Sequence, residues 1–222
     1  MPARKIPRNY RHVTGIFKSI LKNNRGVAYE SPLERDYYLQ LEFVDEVESY
    51  EGQPVKIEHL KGKKPVSYYP DCLIVFKPET GRRKLLIDIK NSEDIEVNKE
   101  NFVYRHGVVA SYAEEQGWGY DVVTEIEIRA DLPYLYNLKF LYKNARAPKN
   151  ITDVSAMIQN CNGIAGYPMT VNELLAKLTS DTRKQLETIP AIWHLVCVKR
   201  ISTDLHKPLN MNSILEVPHV GI

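Results

Sequence analysis

The sequence predicts a mixed α/β domain that is followed by a smaller, mainly helical region. Two short apolar segments, at residues 72–76 and 85–89, are typical of buried strands, and a turn sequence at 77–81 separates them. Residues 99–116 then predict a helix that glycines terminate, and residues 120–128 predict a further strand. Strands that alternate with helices in this way indicate an α/β fold.

An earlier helix is expected to begin close to residue 31. Ser31 is a suitable N-cap and Pro32 favours the first helical turn. Leu33 and Leu41 are two of the apolar residues that then recur at helical spacing. Residues 55–57 form a short candidate strand after this helix.

A domain boundary is expected at residues 145–150, where alanine, proline and basic residues interrupt the apolar pattern. The sequence therefore predicts a first domain at residues 1–147 and a second at residues 148–222.

The second domain resembles a winged helix in the order of its predicted elements. Thr170 and Glu173 fit a capping box that opens a helix through Leu178. Residues 180–189 predict a second helix, and residues 195–198 are a candidate strand. Helix, helix, strand, loop and strand in this order predict a small winged-helix fold.

The basic residues are unevenly distributed along a chain of 222 residues whose formal net charge is only +2. No acidic residue precedes Glu30. The same stretch contains seven basic residues: Arg4, Lys5, Arg8, Arg11, Lys18, Lys22 and Arg25. Such an arm suits contact with phosphate groups, although a solvated tail is an alternative. A transit peptide is disfavoured, because transit peptides are rich in serine and this stretch has one serine and the prolines Pro2 and Pro7.

Several classes of protein are disfavoured by the composition. No apolar run has the length of a membrane-spanning helix, and no secretory signal is evident. The three cysteines, Cys72, Cys161 and Cys197, lie far apart and lack the spacing of a zinc site. We therefore expect a reduced, cytoplasmic protein.

Acidic and basic side chains converge where the two predicted strands meet. Because side chains alternate along a strand, Leu86, Asp88 and Lys90 share one face of the second strand. Asp88 thus places a carboxylate within an apolar run, where burial without a partner would be costly. Asp71 begins the preceding strand, and a short turn would bring it close to Asp88.

Two carboxylates beside a lysine suit the hydrolysis of a phosphodiester. Hard oxygen ligands bind Mg²⁺, for which Mn²⁺ can substitute, and the metal lowers the pKa of a bound water. Lys90 would orient that water or stabilise negative charge. Glu34 is the candidate third carboxylate, so the predicted metal ligands are Glu34, Asp71 and Asp88.

Each of these residues also has a purely structural interpretation. Glu34 lies three residues after Ser31 and could complete a capping box. Asp71 follows Pro70 and could belong to a turn, while Asp88 and Lys90 could form an ion pair on an exposed strand face.

Five short motifs, in this order, resemble those of TnsA, the endonuclease subunit of heteromeric, Tn7-like transposases. They are residues 14–17 (TGIF), 29–36 (YESPLERD), 51–55 (EGQPV), 69–71 (YPD) and 87–90 (IDIK). The resemblance implies a type II restriction-endonuclease-like fold of the PD-(D/E)xK class, with Glu34, Asp71, Asp88 and Lys90 as the catalytic set. Asp88 stands where the best-known members of the family have glutamine.

The resemblance also implies an activity and partners. TnsA-like proteins cut the non-transferred strands at the 5′ ends of a transposon, while a TnsB-type DDE transposase cuts and joins the 3′ ends. A TnsC-type AAA+ regulator links the machinery to its target. Two other functions remain open on the sequence: a stand-alone restriction or repair nuclease, and a catalytically silent DNA-binding adaptor.

Other positions are candidates for supporting roles. Gln53 falls within one of the motifs and is expected either to position the site or to end a strand. Lys99, Arg105 and His106 on the helix at residues 99–116 are candidates for contacts with the DNA backbone, or belong to a solvated helix face.

Overall fold

The computed structural model describes residues 13–161 and 163–218. The chain divides into two compact units, Met1–Ala130 and Asp131–Ile222. The basic arm at Arg4, Lys5, Arg8 and Arg11 lies outside the described residues.

The first unit is a mixed α/β structure, as the sequence predicts. Its elements are β1 (Gly15–Lys18), β2 (Gly26–Tyr29), α1 (Pro32–Phe43), β3 (Val47–Gly52), β4 (Ile57–Lys61), β5 (Lys64–Tyr68), β6 (Cys72–Phe76), β7 (Leu85–Lys90), α2 (Ser92–Val97), α3 (Lys99–Glu115), β8 (Gly119–Thr124) and α4 (Glu125–Ile128).

Four strands form the central sheet of this unit, in the order β3-β6-β7-β8. Strand β6 is antiparallel to both β3 and β7, whereas β7 and β8 are parallel. Leu73 of β6 pairs with Leu86 of β7. Both leucines are buried with Ile57, Val109 and Ala113, so β4 and helix α3 cover this face of the sheet.

The two apolar segments are strands β6 and β7, as predicted, and the predicted turn lies between them. A single turn of 3₁₀ helix, Pro78–Thr80, is followed by Gly81 in the left-handed region at φ 64°. Glycine adopts this conformation without the steric cost of a side chain. Residues 55–57 match the structure only at Ile57, where β4 begins.

Helix α1 begins as predicted, with Ser31 as its N-cap and Pro32 in its first turn. Its position is fixed by Glu42, whose buried carboxylate accepts hydrogen bonds from the Ser19 and Tyr50 hydroxyls at 2.6 and 2.8 Å. The same carboxylate accepts the backbone amides of Ile20 and Leu21. The hairpin of β1 and β2 is thereby joined to α1.

The predicted strand at residues 120–128 is wrong after Thr124. Thr124 caps helix α4, since its side chain accepts the amide of Ile126 and the Glu127 carboxylate accepts the Thr124 amide at 2.8 Å. A Thr and a Glu three residues apart are a helix-start signature. Over four residues the apolar alternation of Ile126 and Ile128 does not distinguish a strand from a helix.

The second unit is mainly helical and contains a small antiparallel sheet. Its elements are α5 (Leu132–Tyr142), α6 (Ile151–Asn160), β9 (Met169–Thr170), α7 (Val171–Leu178), α8 (Thr182–Cys197), β10 (Ser202–Thr203) and β11 (Ile214–Glu216). Strand β11 pairs with both β9 and β10. The capping box of Thr170 and Glu173 forms as predicted at the start of α7.

Helix α8 is longer than predicted and includes residues 195–197 of the expected strand, which is therefore wrong. Asp181 caps the helix, and the chain continues through Pro190 to Cys197. The residues after Pro190 are buried on all sides of the helix. A helix buried all round shows no amphipathic period, so its apolar run resembles a strand in sequence.

The structural division at residues 130 and 131 precedes the boundary predicted at 147 and 148. Helix α5 belongs to the second unit because it packs against α8 and because Asn137 donates to the carbonyls of Leu205 and Lys207. The segment at residues 145–150 is a loop between α5 and α6. Its composition indicates a loop, but not on which side of that loop the division between the two units falls.

None of the helices within residues 13–161 and 163–218 combines the length and the apolar character needed to cross a membrane.

Candidate active site

Asp71 and Asp88 are neighbours across two strands. Cys72 pairs with Ile87 in the antiparallel ladder of β6 and β7, so the preceding residue, Asp71, lies opposite Asp88. Period-two alternation then places Asp71 and Asp88 on the same sheet face as buried Leu73. The carboxylates thus lie where this apolar face ends.

Asp71 is held by a dense set of hydrogen bonds. Its Oδ2 accepts both the ammonium of Lys90 and the backbone amide of Ile89, each at 2.7 Å. Its backbone carbonyl accepts the Tyr38 hydroxyl at 3.0 Å and the Gln53 amide at 3.1 Å. Helix α1, strand β7 and the end of β3 therefore all fix this aspartate.

Asp88 is a buried carboxylate whose two oxygens differ in their hydrogen bonding. The Tyr120 hydroxyl donates to Oδ2 at 2.8 Å. Oδ1 is also buried and has no hydrogen-bond partner among the described residues. Burial, followed by the negative charge of Asp71, raises the pKa of Asp88, while Lys90 and the Tyr120 and Tyr68 hydroxyls oppose the rise.

Lys90 is a cation surrounded by carboxylates. Burial lowers its pKa, but the charges of Asp71, Asp88 and Glu34, with the hydrogen bond to Asp71, outweigh burial and raise the pKa above its ordinary value. The lysine therefore remains protonated at neutral pH. Its ammonium also lies 5.9 Å from the centre of the Tyr68 ring.

Glu34 is held at the helix start and also lies within electrostatic reach of Asp71. Its carboxylate accepts the Glu30 amide at 2.8 Å and the Ser31 hydroxyl at 2.9 Å. Burial, and then the charge of Asp71, raise the pKa of Glu34 to about 7. The capping interaction and the proximity to the carboxylates are therefore both present.

Gln53 is buried at the point where β3 ends and adopts a left-handed backbone conformation at φ 46°. A residue other than glycine is uncommon there, which indicates that its surroundings hold it in place. The preceding Gly52 allows close packing, since a Cβ at that position would lie 2.8 Å from the Ala28 carbonyl oxygen. Gln53 thus fixes the backbone of Asp71 from the side of β3.

The oxygen-rich donor set has the chemistry that hard divalent cations prefer. Asp88 Oδ1, buried without a hydrogen-bond partner, is an atom that a metal ion would satisfy. Among the described residues, no three His, Cys, Asp or Glu side chains are grouped closely enough to form a metal-binding cluster. The residues that fit a metal best are therefore the pair Asp71 and Asp88, with Glu34 farther along the same site.

Residues 44–125 match the family model described as the TnsA-like endonuclease N terminal. This segment of the chain is therefore TnsA-like. No curated protein matches the chain. The family match implies a restriction-endonuclease-like α/β fold, and the mixed sheet of the first unit agrees with it.

The match covers Gln53, Asp71, Asp88 and Lys90, whereas Glu34 lies before its first residue. The structure nevertheless connects Glu34 to the matched region, because Asp71 raises its pKa and Lys90 responds to its charge.

Two tyrosines of the TnsA-like domain were missed by the sequence analysis. Tyr68 ends β5, and Tyr120 lies on β8, and both hydroxyls act on Asp88. The parallel register of β7 and β8, in which Leu86 pairs with Tyr120, brings the second tyrosine to the site. No local sequence signal marks it, because this pairing is set by the order of strands in the sheet.

The predicted DNA-contacting residues on α3 lie in different surroundings. The Arg105 guanidinium is 5.6 Å from the centre of the Tyr68 ring and therefore borders the carboxylate site. The exposed His106 ring packs on Tyr120 at 5.0 Å between centres. Lys99 lines a separate surface depression with Lys61 and Tyr104.

Proposed function

We propose that this protein is a metal-dependent DNA endonuclease that hydrolyses phosphodiester bonds with Mg²⁺, for which Mn²⁺ substitutes. The observation that carries the proposal is the contact of Lys90 with Asp71 opposite Asp88, within a TnsA-like endonuclease domain. A silent adaptor would have no need to keep a buried, partly unsatisfied carboxylate in this position.

In this proposal Asp71 and Asp88 bind the metal, and Glu34 adds a third carboxylate within electrostatic reach of Asp71. A metal bound there would lower the pKa of a water and would offset the charge that develops on phosphate. The raised pKa of Glu34 expresses the cost of keeping a third negative charge there without a cation. A divalent ion would remove that cost.

Lys90 acts as a cation rather than as a base. Its raised pKa keeps it protonated, so it holds the Asp71 carboxylate and stabilises negative charge on the phosphate. Gln53 positions Asp71 through the backbone bond described above.

DNA-backbone contacts are assigned to Arg105 and Lys99 of helix α3 and to the arm with Arg4, Lys5, Arg8 and Arg11. The position of Arg105 over the Tyr68 ring supports its role, because it adds positive charge at the edge of the carboxylate site. Each such contact adds affinity that falls with salt.

The specific reaction we propose is cleavage of the non-transferred strands, at the 5′ ends of a transposon, in cut-and-paste transposition. The protein then acts in the cytoplasm with a TnsB-type DDE transposase and a TnsC-type AAA+ regulator. The TnsA-like domain supports this reaction over that of a stand-alone restriction or repair nuclease.

For the second unit we propose a winged-helix role in binding DNA or a partner. Its elements follow the order α6, β9, α7, α8, β10 and β11, with β11 between the other two strands. Two helices that lie between β9 and β10 in sequence, with a three-stranded sheet of this order, support the winged-helix prediction. Pairing β11 with β9 fixes Leu215 beside Met169, and both are buried.

Metal binding tests the site directly. Isothermal calorimetry with Mg²⁺ and with Mn²⁺, in the presence of DNA, would compare the wild type with Asp71→Ala, Asp88→Ala and the exposed control Asp94→Ala. We expect binding by the wild type and the control and loss of binding in the two site variants. Binding by Asp71→Ala and Asp88→Ala equal to the wild type would overturn the assignment.

A further inference from the structure

Tyr120 donates a hydrogen bond to the side chain of Asp88, a carboxylate on which the Tyr68 hydroxyl also acts. The Tyr120 hydroxyl lies 2.8 Å from Oδ2. A carboxylate oxygen is an acceptor, so the Tyr120 hydroxyl is the donor of this bond. The bond is therefore of the charge-assisted kind, which is stronger than a neutral one.

The bond distinguishes the two oxygens of Asp88. Oδ2 is occupied by Tyr120, whereas Oδ1 is buried and has no hydrogen-bond partner among the described residues. A carboxylate can rotate about its last side-chain bond, and that bond has broad rotational preferences. A donor held on one oxygen restricts this rotation and favours the orientation in which Oδ1 remains available.

The tyrosine is itself held by its surroundings. Tyr120 pairs with Leu86 in the parallel ladder of β7 and β8 and packs against the buried cluster that contains Leu86. The His106 ring contacts the Tyr120 ring from helix α3, with 5.0 Å between centres. The hydroxyl thus projects from a strand and not from a loop, which suits the positioning of a site residue.

We propose that Tyr120 is a positioning residue for metal binding, holding Oδ2 of Asp88 so that Oδ1 is presented as the ligand atom. The inference rests on the proposed function, because it requires a metal at Asp88. Hydrogen bonds to ligating carboxylates orient them, and loss of such a partner commonly weakens metal affinity by roughly 10- to 100-fold.

Tyr120→Phe tests the proposal because it removes one oxygen and retains the packed ring. The matched control is Tyr104→Phe, which removes a hydroxyl that donates to the Leu60 carbonyl. Mn²⁺ and Mg²⁺ affinities of the full chain would be measured by calorimetry, and thermal unfolding without metal would report folding. We expect Tyr120→Phe to weaken binding by about 10- to 100-fold and Tyr104→Phe to leave it unchanged.

Asp88→Asn separates the failure of this inference from that of the proposed function. If Asp88→Asn weakens binding while Tyr120→Phe binds like the wild type, the positioning role is overturned and the metal site stands. If Asp88→Asn binds metal like the wild type, or the wild type binds none, the proposed function fails as well. A purely structural role for Tyr120 would lower the unfolding temperature and leave the affinity unchanged.

A second variant addresses misfolding. Tyr120→His keeps a ring with an N–H donor, and we expect it to bind metal more tightly than Tyr120→Phe. If Tyr120→Phe does not fold, the metal affinity of Tyr120→His is compared with that of the wild type. We expect the two affinities to agree within about tenfold, because loss of the hydrogen-bond donor to Asp88 would cost more than this. A folded Tyr120→His protein that has lost metal binding as fully as Asp88→Asn would contradict the proposal.

Discussion

The ammonium of Lys90 lies 2.7 Å from Oδ2 of Asp71, the same oxygen that accepts the Ile89 amide. This contact joins the start of β6 to the end of β7 and neutralises one of the two facing carboxylates. A metal that binds Asp71 would share this oxygen or displace the ammonium. Under the proposed function, Lys90 would therefore be both a cation for phosphate and a competitor of the metal.

Lys90→Met separates these two effects. Removal of the ammonium is expected to leave metal affinity equal to that of the wild type or higher, because a competing cation is lost. DNA cleavage is expected to fall by about 10²- to 10³-fold, as for loss of one group that stabilises transition-state charge. Lys84→Met removes an exposed lysine of the same unit and serves as the control in calorimetry and cleavage assays. Undiminished cleavage by Lys90→Met would contradict a catalytic role.

The pKa of Glu34 predicts how stability depends on pH without metal. Burial and Asp71 raise the pKa of Glu34 from 4.5 to about 7 in the folded protein. Between these values the folded state binds more protons than the unfolded state, so stability falls as pH rises through this window. Glu34→Gln removes the penalty and is expected to stabilise the metal-free protein at high pH, by ~3 kcal/mol at about pH 8, but not near pH 4.5.

Denaturant unfolding at several pH values, in the presence of a chelator, checks this result. Glu42→Gln is the contrasting variant, because Glu42 is also a buried carboxylate of α1 but accepts hydrogen bonds from two hydroxyls and two amides. It should destabilise the protein. A Glu34→Gln protein that is less stable than the wild type at high pH would argue that the capping bonds outweigh the burial cost.

Gly52→Ala probes the close packing behind Asp71. The new Cβ would lie 2.8 Å from the Ala28 carbonyl oxygen and 2.9 Å from the Tyr38 hydroxyl, which donates to Asp71. We expect a loss of about 1–3 kcal/mol of stability, as for overpacking elsewhere. Gly107→Ala is the control: its Cβ would meet nothing within 4 Å, and in helix α3 it should add about 0.5–1 kcal/mol. Equal stability of both variants would show that the backbone near Gly52 gives way.

Arg105→Ala tests the proposed contact with the DNA backbone. Binding to duplex DNA would be measured over a range of salt concentrations, and the slope of log K against log[salt] should become shallower by about 1. The control is Arg82→Ala, since the Arg82 guanidinium is paired with Glu46 at 2.6 Å. An unchanged slope for Arg105→Ala would remove this residue from the interface.

The features that could be predicted from the sequence depend on residues close together along the chain. The N-caps at Ser31 and Thr170 and the strands β6 and β7 are examples, because capping chemistry and short apolar runs are visible in the sequence. Two such strands joined by a turn are expected to pair in an antiparallel sheet. This expectation was enough to predict that Asp71 and Asp88 lie close together.

The features that could not be predicted depend on contacts between residues that are distant in sequence. Tyr120 reaches Asp88 because β8 pairs in parallel with β7, and Tyr68 reaches it from the end of β5. Thr124 starts a helix where apolar residues suggested a strand. The buried half of α8 lacks the polar face that marks a helix, so only its packing identifies it.

Strand-specific cleavage is the most direct test of the central claim that Asp71 and Asp88 form a nuclease site. Transposon-end DNA labelled on each strand would be incubated with Mg²⁺, the TnsB-type and TnsC-type partners, and either the wild type or Asp71→Ala. We predict that the wild type cuts the 5′ ends, and that Asp71→Ala abolishes these cuts while the 3′ ends are still cut. Cleavage of the 5′ ends at the wild-type rate by Asp71→Ala would contradict the account.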